Sequence, residues 1–194
     1  MNRSLLLGAW LVVSASGMAL AQSAADTPVT GAGVVRATAV VDDVFVARTH
    51  ASGAIGGADW VAYLMARLGI HPIPALPGFV VTVDSTQIQM TSRIADLPRE
   101  TRTELGPLVG FLDPSTPIAG TITLQSVGPE AVRFHLDQVS LNGFAIPEAF
   151  LQSWLADVGR RYPVLGRSGR DLLVQIPAGG RVTLGPDSLH LALP

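Results

Sequence analysis

Four arginines form the densest group of side chains that could bind a ligand. Arg160, Arg161, Arg167 and Arg170 fall within eleven residues of each other. The planar guanidinium group binds carboxylates and phosphates through paired hydrogen bonds. One interpretation is therefore a landing site for anionic lipid head groups, with Arg160 and Arg161 as the contact residues. The alternative is a solvated loop after a helix, where cations stabilise the C-terminal end of the helix dipole.

The other reactive side chains do not form a catalytic or metal-binding motif. The chain has no P-loop, no H-E-x-x-H sequence and no G-x-S-x-G elbow. His135 and His190 lie in predicted strands, on the side opposite the apolar residues. Asp42 and Asp43 could be half of a cation site or solvated loop charges, because hard cations usually need several more oxygen ligands. We predict no catalytic residue, no metal site and no cofactor, and we do not expect an enzyme.

Two predicted amphipathic helices carry the apolar residues that could bind a ligand. The first spans 59–68, with Asp59 as its N-cap and Gly69 ending it. The second spans 147–158, begins at a proline and ends at Gly159. Apolar residues recur on one face of each helix at steps of three and four. The candidate ligand-binding residues on these faces are Trp60, Leu64, Leu68, Phe150, Leu151, Trp154 and Leu155.

Alternating apolar and polar residues predict the strands that would position these helices. The alternation slips by one residue near Asp137 and Gln138, which indicates a β-bulge. Residues 34–49 fit either a strand or a short helix, and 53–57 is a glycine-rich break. Helices and strands do not alternate regularly, so the predicted fold is α+β, with a mainly antiparallel curved sheet and two amphipathic helices packed on one face. The predicted strands are 79–83, 86–94, 118–126, 132–141, 172–176, 182–184 and 189–193.

The first 21 residues have the layout of a secretory signal peptide. Arg3 carries the only charge, an apolar run covers 5–13, and Ala-Leu-Ala at 19–21 matches a cleavage site. The alternative, an uncleaved membrane anchor, would need a longer apolar run. We expect a periplasmic or secreted protein, cleaved near Ala21 and without a transmembrane anchor in the mature chain. The expected organisation is a signal peptide (1–21), a flexible leader (22–33) and a single α+β domain (34–194).

The composition narrows the classes of ligand and partner. Charged residues make up only 14% of the chain, hydrophobic residues 48%, and the formal net charge is −2. A chain with this net charge lacks the excess of basic residues that is typical of proteins that bind nucleic acid. The chain has no cysteine, so neither disulfides nor acylation at a cysteine is expected. Few charges and much apolar surface indicate either a thick core or an apolar cavity.

The order of elements resembles a known group of bacterial proteins. A helix precedes the strand pattern at 81–90, a second strand follows at 118–124, and a third ends in the junction 139–147, which leads into an amphipathic helix. This arrangement resembles small exported or membrane-tethered proteins of the TULIP-like lipid-binding type, including the DUF2993 and YpmS-like families. The resemblance implies a helix paired with a curved antiparallel sheet around an apolar groove. It supplies no catalytic residue.

Two functions follow from the sequence as hypotheses. In the first, the protein binds a lipid or another apolar small molecule in a groove between helix and sheet, without catalysis. In the second, the helical faces are an ordinary packed core, and the chain is an assembly module that pairs with another envelope protein through exposed strands or loops.

Overall fold

The computed structural model describes residues 28–70, 76, 78–97, 99, 102–103 and 112–194. The predicted signal peptide, the first half of the predicted leader and most of the segment 98–111 lie outside the described residues. Three longer helices, α1 to α3, and nine strands, β1 to β9, occur in the described part. In chain order they are α1 (Gly31–Val41), β1 (Ser52–Gly56), α2 (Gly57–Arg67), β2 (Val80–Val83), β3 (Gln87–Arg93), β4 (Pro117–Ser126), β5 (Ala131–Leu141), β6 (Phe144–Ala145), α3 (Glu148–Arg161), β7 (Asp171–Gln175), β8 (Arg181–Gly185) and β9 (Ser188–Ala192).

The larger of the two described sheets is antiparallel and has six strands. Its strands follow the order β2-β3-β4-β5-β6, and β7 also pairs with β5. Ile88 lies opposite Ile122, which in turn lies opposite Leu136. Because side chains alternate between the two faces of a strand, such apolar partners share one face, which we call the inner face. The polar residues Thr121 and Gln125 lie on the other face, as their alternation predicts.

The predicted β-bulge is confirmed at Asp137. Thr121 pairs with Gln138, whereas the next residue, Ile122, pairs with Leu136. Asp137 is therefore the extra residue on β5 and stays exposed. Without this insertion, the residues beyond it would point to the opposite side of the sheet. The bulge keeps Val139 on the inner face, where it is buried.

A second, three-stranded sheet has the order β1-β9-β8. The prediction of a break at 53–57 is wrong, because most of this segment is strand β1. Glycine is required at Gly53, since a Cβ there would lie 2.6 Å from Cγ1 of Val40 in α1. The turn between β8 and β9 joins the sheets, because the Asp187 amide donates to the Val83 carbonyl at 2.9 Å.

The N-terminal part of the domain is helical. Thr30 caps α1, and its hydroxyl accepts a hydrogen bond from the Gly33 amide. A π-helical turn, Asp42–Val46, continues the chain. The prediction that the flexible leader extends to residue 33 is wrong, because Val29 is 1% exposed and belongs to the core. The undecided segment 34–49 is mostly helix.

Helix α2 begins two residues earlier than predicted, and its N-cap is Gly56 rather than Asp59. Asp59 instead accepts two hydrogen bonds from Arg36 of α1, at 2.6 and 2.7 Å. This ion pair ties α1 to α2. The predicted end at Gly69 is confirmed, because Gly69 adopts a φ of +81°, which glycine tolerates best.

Helix α3 begins after Pro147 and runs through Gly159 to Arg161. The predicted end at Gly159 is therefore wrong. A Cβ at Gly159 would lie 2.5 Å from the carbonyl oxygen of Gly166. Gly159 allows the following loop to cross the helix closely, and the helix continues past it.

The α+β prediction is confirmed, with antiparallel sheets. The sheet is not strongly curled, and the strands form two sheets rather than one. Trp60 of α2 lies on the inner face against Phe134, with ring centroids 5.1 Å apart. Leu155 of α3 packs with Val139 on the same face. Both predicted helices therefore lie on one face of the six-stranded sheet. Among the described residues, no helix has the length and apolar character needed to cross a membrane.

Candidate functional site

Two cavities lie on the inner face and adjoin each other. The first, the α2 cavity, has a volume of about 230 Å³ and lies between α2 and the sheet. The second, the α3 cavity, has a volume of about 310 Å³ and lies beside Trp154. Met90 and Leu136 line both. We call the two cavities together the inner groove.

The floor of the inner groove is open at Gly120. This glycine lines the α3 cavity at the centre of β4. A Cβ at Gly120 would meet Leu136 Cδ1 and Met90 Cε at 3.6 Å, which is ordinary van der Waals contact. Neither backbone strain nor a close approach therefore requires glycine at this position. The missing side chain leaves space between Met90 and Leu136, where the two cavities adjoin.

Helix α2 places three predicted ligand-binding residues at the groove. Trp60, Leu64 and Leu68 all line the α2 cavity. Trp60 is 2% exposed and stacks on Tyr63, with centroids 5.4 Å apart. Its indole Nε1 has no hydrogen-bond acceptor among the described residues. A buried donor without an acceptor is uncommon in proteins, so an acceptor from outside the described residues would suit it.

Helix α3 distributes its predicted residues differently. Trp154 lines the α3 cavity, and its Nε1 is also buried without an acceptor in the described part of the chain. Leu151 and Leu155 are buried in a small core with Val139 and do not line the two groove cavities. Phe150 is 59% exposed. Sequence periodicity selects a helical face but does not separate its packed residues from those that border a cavity.

The four arginines at the end of α3 and in the loop that follows it do not act as one group. Arg160 is exposed and pairs with Asp157 on its own helix, and Arg161 is also exposed. Arg170 donates to Glu148 in the first turn of α3 at 2.5 Å, and it lines the α2 cavity. Because Glu148 already neutralises the charge of Arg170, the main effect of this ion pair is to hold the loop that precedes β7 against α3.

A third cavity, which we call the rim cavity, lies on the other flank of α2. Its volume is about 410 Å³, and it adjoins the α2 cavity at Trp60, Leu64 and Leu172, which line both. Arg67 and Gln175 are among its lining residues. Sequence reasoning missed Arg67, although it lies three residues after Leu64 and therefore next to the predicted apolar face.

One polar cluster outside the cavities contains an acid, a histidine and a hydroxyl. Asp171 Oδ1 lies 2.7 Å from Nδ1 of His135, and Asp171 Oδ2 accepts from the Ser168 hydroxyl at 3.1 Å. The hydroxyl thus contacts the carboxylate and not the imidazole, unlike the nucleophile and base of a catalytic triad. None of the three residues lines the three cavities described above. The cluster joins β5 to β7.

The Asp171 carboxylate is stabilised in its charged form. Partial burial is the largest single effect and raises its pKa. Hydrogen bonds from His135 and Ser168, followed by the positive charges of His135 and Arg133, outweigh burial and hold the pKa of Asp171 below its usual value. The cluster therefore contributes to stability through an ionised carboxylate.

The described residues contain no group of three or more acidic or histidine side chains that could hold a metal ion. The described residues form an apolar groove that contains two indole N–H groups without an acceptor among them, and a neighbouring cavity is lined by the cationic side chain of Arg67. A scan against models of protein families, a search of curated proteins and a search of solved structures each gave no match for this chain.

Proposed function

We propose that this protein binds the acyl chain of a lipid, or a similar apolar ligand, in the inner groove without catalysing a reaction. The observation that carries the proposal is the pair of adjoining cavities between two helices and one apolar sheet face. Ligand sites usually occupy roughly 300–1,000 Å³ and are mostly apolar. The α2 and α3 cavities, of about 230 and 310 Å³, reach this range together.

Ordinary core packing accounts poorly for the inner groove. Protein interiors are packed as densely as organic crystals, and they contain few voids larger than a water molecule. Among the described residues that line the α3 cavity, all have apolar side chains except Ser92 and the indole of Trp154. A cavity lined in this way suits a hydrocarbon chain better than it suits water, which needs several polar partners.

The resemblance to TULIP-like proteins supports the same proposal, because those proteins pair a long helix with a curved antiparallel sheet around an apolar groove. The signal-like segment 1–21 supports an exported protein. An exported carrier of an apolar ligand would work in the periplasm or outside the cell, and this placement is part of the proposal.

The test is lipid analysis of protein purified from a bacterial host. Mass spectrometry of an organic extract should detect lipid near one equivalent per chain. Gly120→Leu should lose it, because the new side chain would project between Met90 and Leu136. Thr121→Leu is the matched control, since it adds a comparable side chain to the outer face of the same strand and should retain the lipid.

Lipid-free wild-type protein that also fails to bind an added fatty acid would contradict the proposal. Equal lipid in both variants would place the ligand elsewhere. Recovery of one stoichiometric protein partner without lipid would favour the assembly module instead. Such a partner could use exposed apolar side chains such as Phe144 and Phe150, which are 77% and 59% exposed.

A further inference from the structure

We infer that the ligand is a single-chain amphiphile with an anionic head group, which Arg67 binds at the rim cavity while the chain extends into the inner groove. This inference rests on the proposed function and adds the chemical class and the orientation of the ligand. It assigns the head group to Arg67 rather than to Arg160 and Arg161 in the last turn of α3.

The rim cavity lies between α2, the π-helical turn Asp42–Val46 and the strands β7 to β9. The rim cavity and the α2 cavity meet beneath α2, where Trp60, Leu64 and Leu172 line both. The three cavities therefore form a series: rim cavity, α2 cavity, α3 cavity. A series without branches fits one chain better than two.

The charge at the rim cavity comes from Arg67, which lies in the last turn of α2 and is exposed. No carboxylate is found among the described residues that line the rim cavity, and no described residue forms an ion pair with Arg67. By contrast, Arg170, which lines the α2 cavity, is paired with Glu148. Of the two described arginines that line these three cavities, Arg67 is therefore the one whose charge is available to a ligand.

Neutral polar residues line the rim cavity together with Arg67. The buried indole N–H of Trp60 lacks an acceptor among the described residues, and Trp60 lines the rim cavity. Tyr63 and Gln175, which line the same cavity, add a hydroxyl and an amide. Carboxylate and phosphate oxygens are acceptors that guanidinium, hydroxyl and amide donors can bind together.

Polarity changes along the series of cavities. The rim cavity is lined by Arg67, Tyr63 and Gln175, and the α2 cavity by Arg170, whose charge is paired with Glu148. At the far end, the described residues that line the α3 cavity are almost all apolar. Arg67 is exposed and would hold the anionic head group of the ligand near water. The apolar side chains that would contact the hydrocarbon chain lie further inside. This order matches an amphiphile whose head stays at the surface and whose tail is buried.

The experiment compares ligands that share one hydrocarbon chain and differ only in the head group. Calorimetric titration of delipidated protein at pH 7 would use laurate, dodecyl phosphate, dodecanol and dodecylamine. Both anions should bind more tightly than the alcohol, and the amine should bind most weakly. Their order relative to each other separates a carboxylate from a phosphate head group.

Arg67→Gln should weaken binding of the anions by about tenfold, the loss expected for one charge-assisted contact. Its affinity for dodecanol should not change, because the alcohol has no charge to lose. Arg93→Gln is the matched control: Arg93 is an exposed arginine at the end of β3 and does not line the three cavities. It should bind all four ligands as the wild type does.

Three results would overturn the inference while leaving the groove intact. These are equal affinity for laurate and dodecanol, an equal loss for both in Arg67→Gln, or a loss for laurate in Arg160→Gln and Arg161→Gln but not in Arg67→Gln. Failure of every ligand to bind the wild type would instead overturn the proposed function, and the inference with it.

Discussion

At the residue scale, Asp171 makes the free energy of unfolding depend on pH in the acid range. Its pKa lies below the usual carboxyl value, so the folded state favours the ionised form. That stabilisation is complete above about pH 4, the usual unfolded value, and is lost as the pH falls through the lower folded value. Asp171→Asn should therefore lower the free energy of unfolding at pH 7 by about 1 kcal/mol, a modest value because the side chain is 33% exposed.

Urea titrations at pH 7 and at pH 3 would check this expectation. The difference between wild type and Asp171→Asn should shrink at the lower pH, because protonation removes the same charge. Asp187→Asn, at an exposed turn between β8 and β9, should leave the acid dependence unchanged. A difference between wild type and Asp171→Asn that stayed constant with pH would show that the Asp171 charge does not stabilise the fold.

Single residues also show where sequence reasoning stops. Asp59 has the chemistry of an N-cap, but its partner is Arg36, twenty-three positions earlier, and no local pattern connects the two. Gly159 has the chemistry of a helix end, yet its role is a close approach to the loop at Gly166. In both cases a contact distant in sequence decides between two uses of the same residue type.

At the element scale, the bulge in β5 controls which side chains reach the inner face. Deletion of Asp137 would restore regular pairing with β4 and turn Val139 and Leu141 toward the opposite face. Because Val139 is buried against α3, the deletion should cost several kcal/mol, as loss of more than one core side chain does. Thermal unfolding and circular dichroism would show partial or complete loss of the fold.

Asp137→Ala is the control for that deletion. It keeps the extra residue and removes only an exposed carboxylate, so its effect should stay within about 0.5 kcal/mol. If the deletion were as stable as Asp137→Ala, the strand after the bulge would have found another register, and the bulge would not determine the inner face.

Elements with a clear period were predictable, and elements defined by contact were not. The hairpins and the bulge follow from alternation of side chains within β4 and β5. Strand β1 has the sequence of a glycine-rich break. Its Gly53 is there because Val40 of α1 packs so close to the strand that a larger side chain would clash. For the groove, periodicity identified Trp60 and Trp154, but the space between their helices depends on how far apart the helices lie, which the sequence pattern does not specify.

At the scale of the whole molecule, the groove should trade stability for binding. Gly120→Ala fills part of the space between Met90 and Leu136 with a methyl group at ordinary contact distance. Replacing glycine in a strand interior and burying a methyl group should each stabilise the fold, together by about 1 kcal/mol. For a domain of this size the melting temperature should rise by roughly 2–4 °C. Binding of laurate should weaken, because the chain loses room at the junction of the two groove cavities.

Scanning calorimetry of delipidated protein would measure the expected rise in melting temperature, and laurate titration would measure the expected loss of affinity. Gly31→Ala is the control, since a Cβ there meets nothing within 4 Å and lies in the first turn of α1, away from the groove. It should raise stability by a similar conformational-entropy effect and leave laurate binding unchanged. If Gly120→Ala raised stability and bound laurate as tightly as the wild type, the space above Gly120 would be a packing defect without a role in binding. Opposite changes in the two measurements would mean that the open floor is retained because the ligand occupies it.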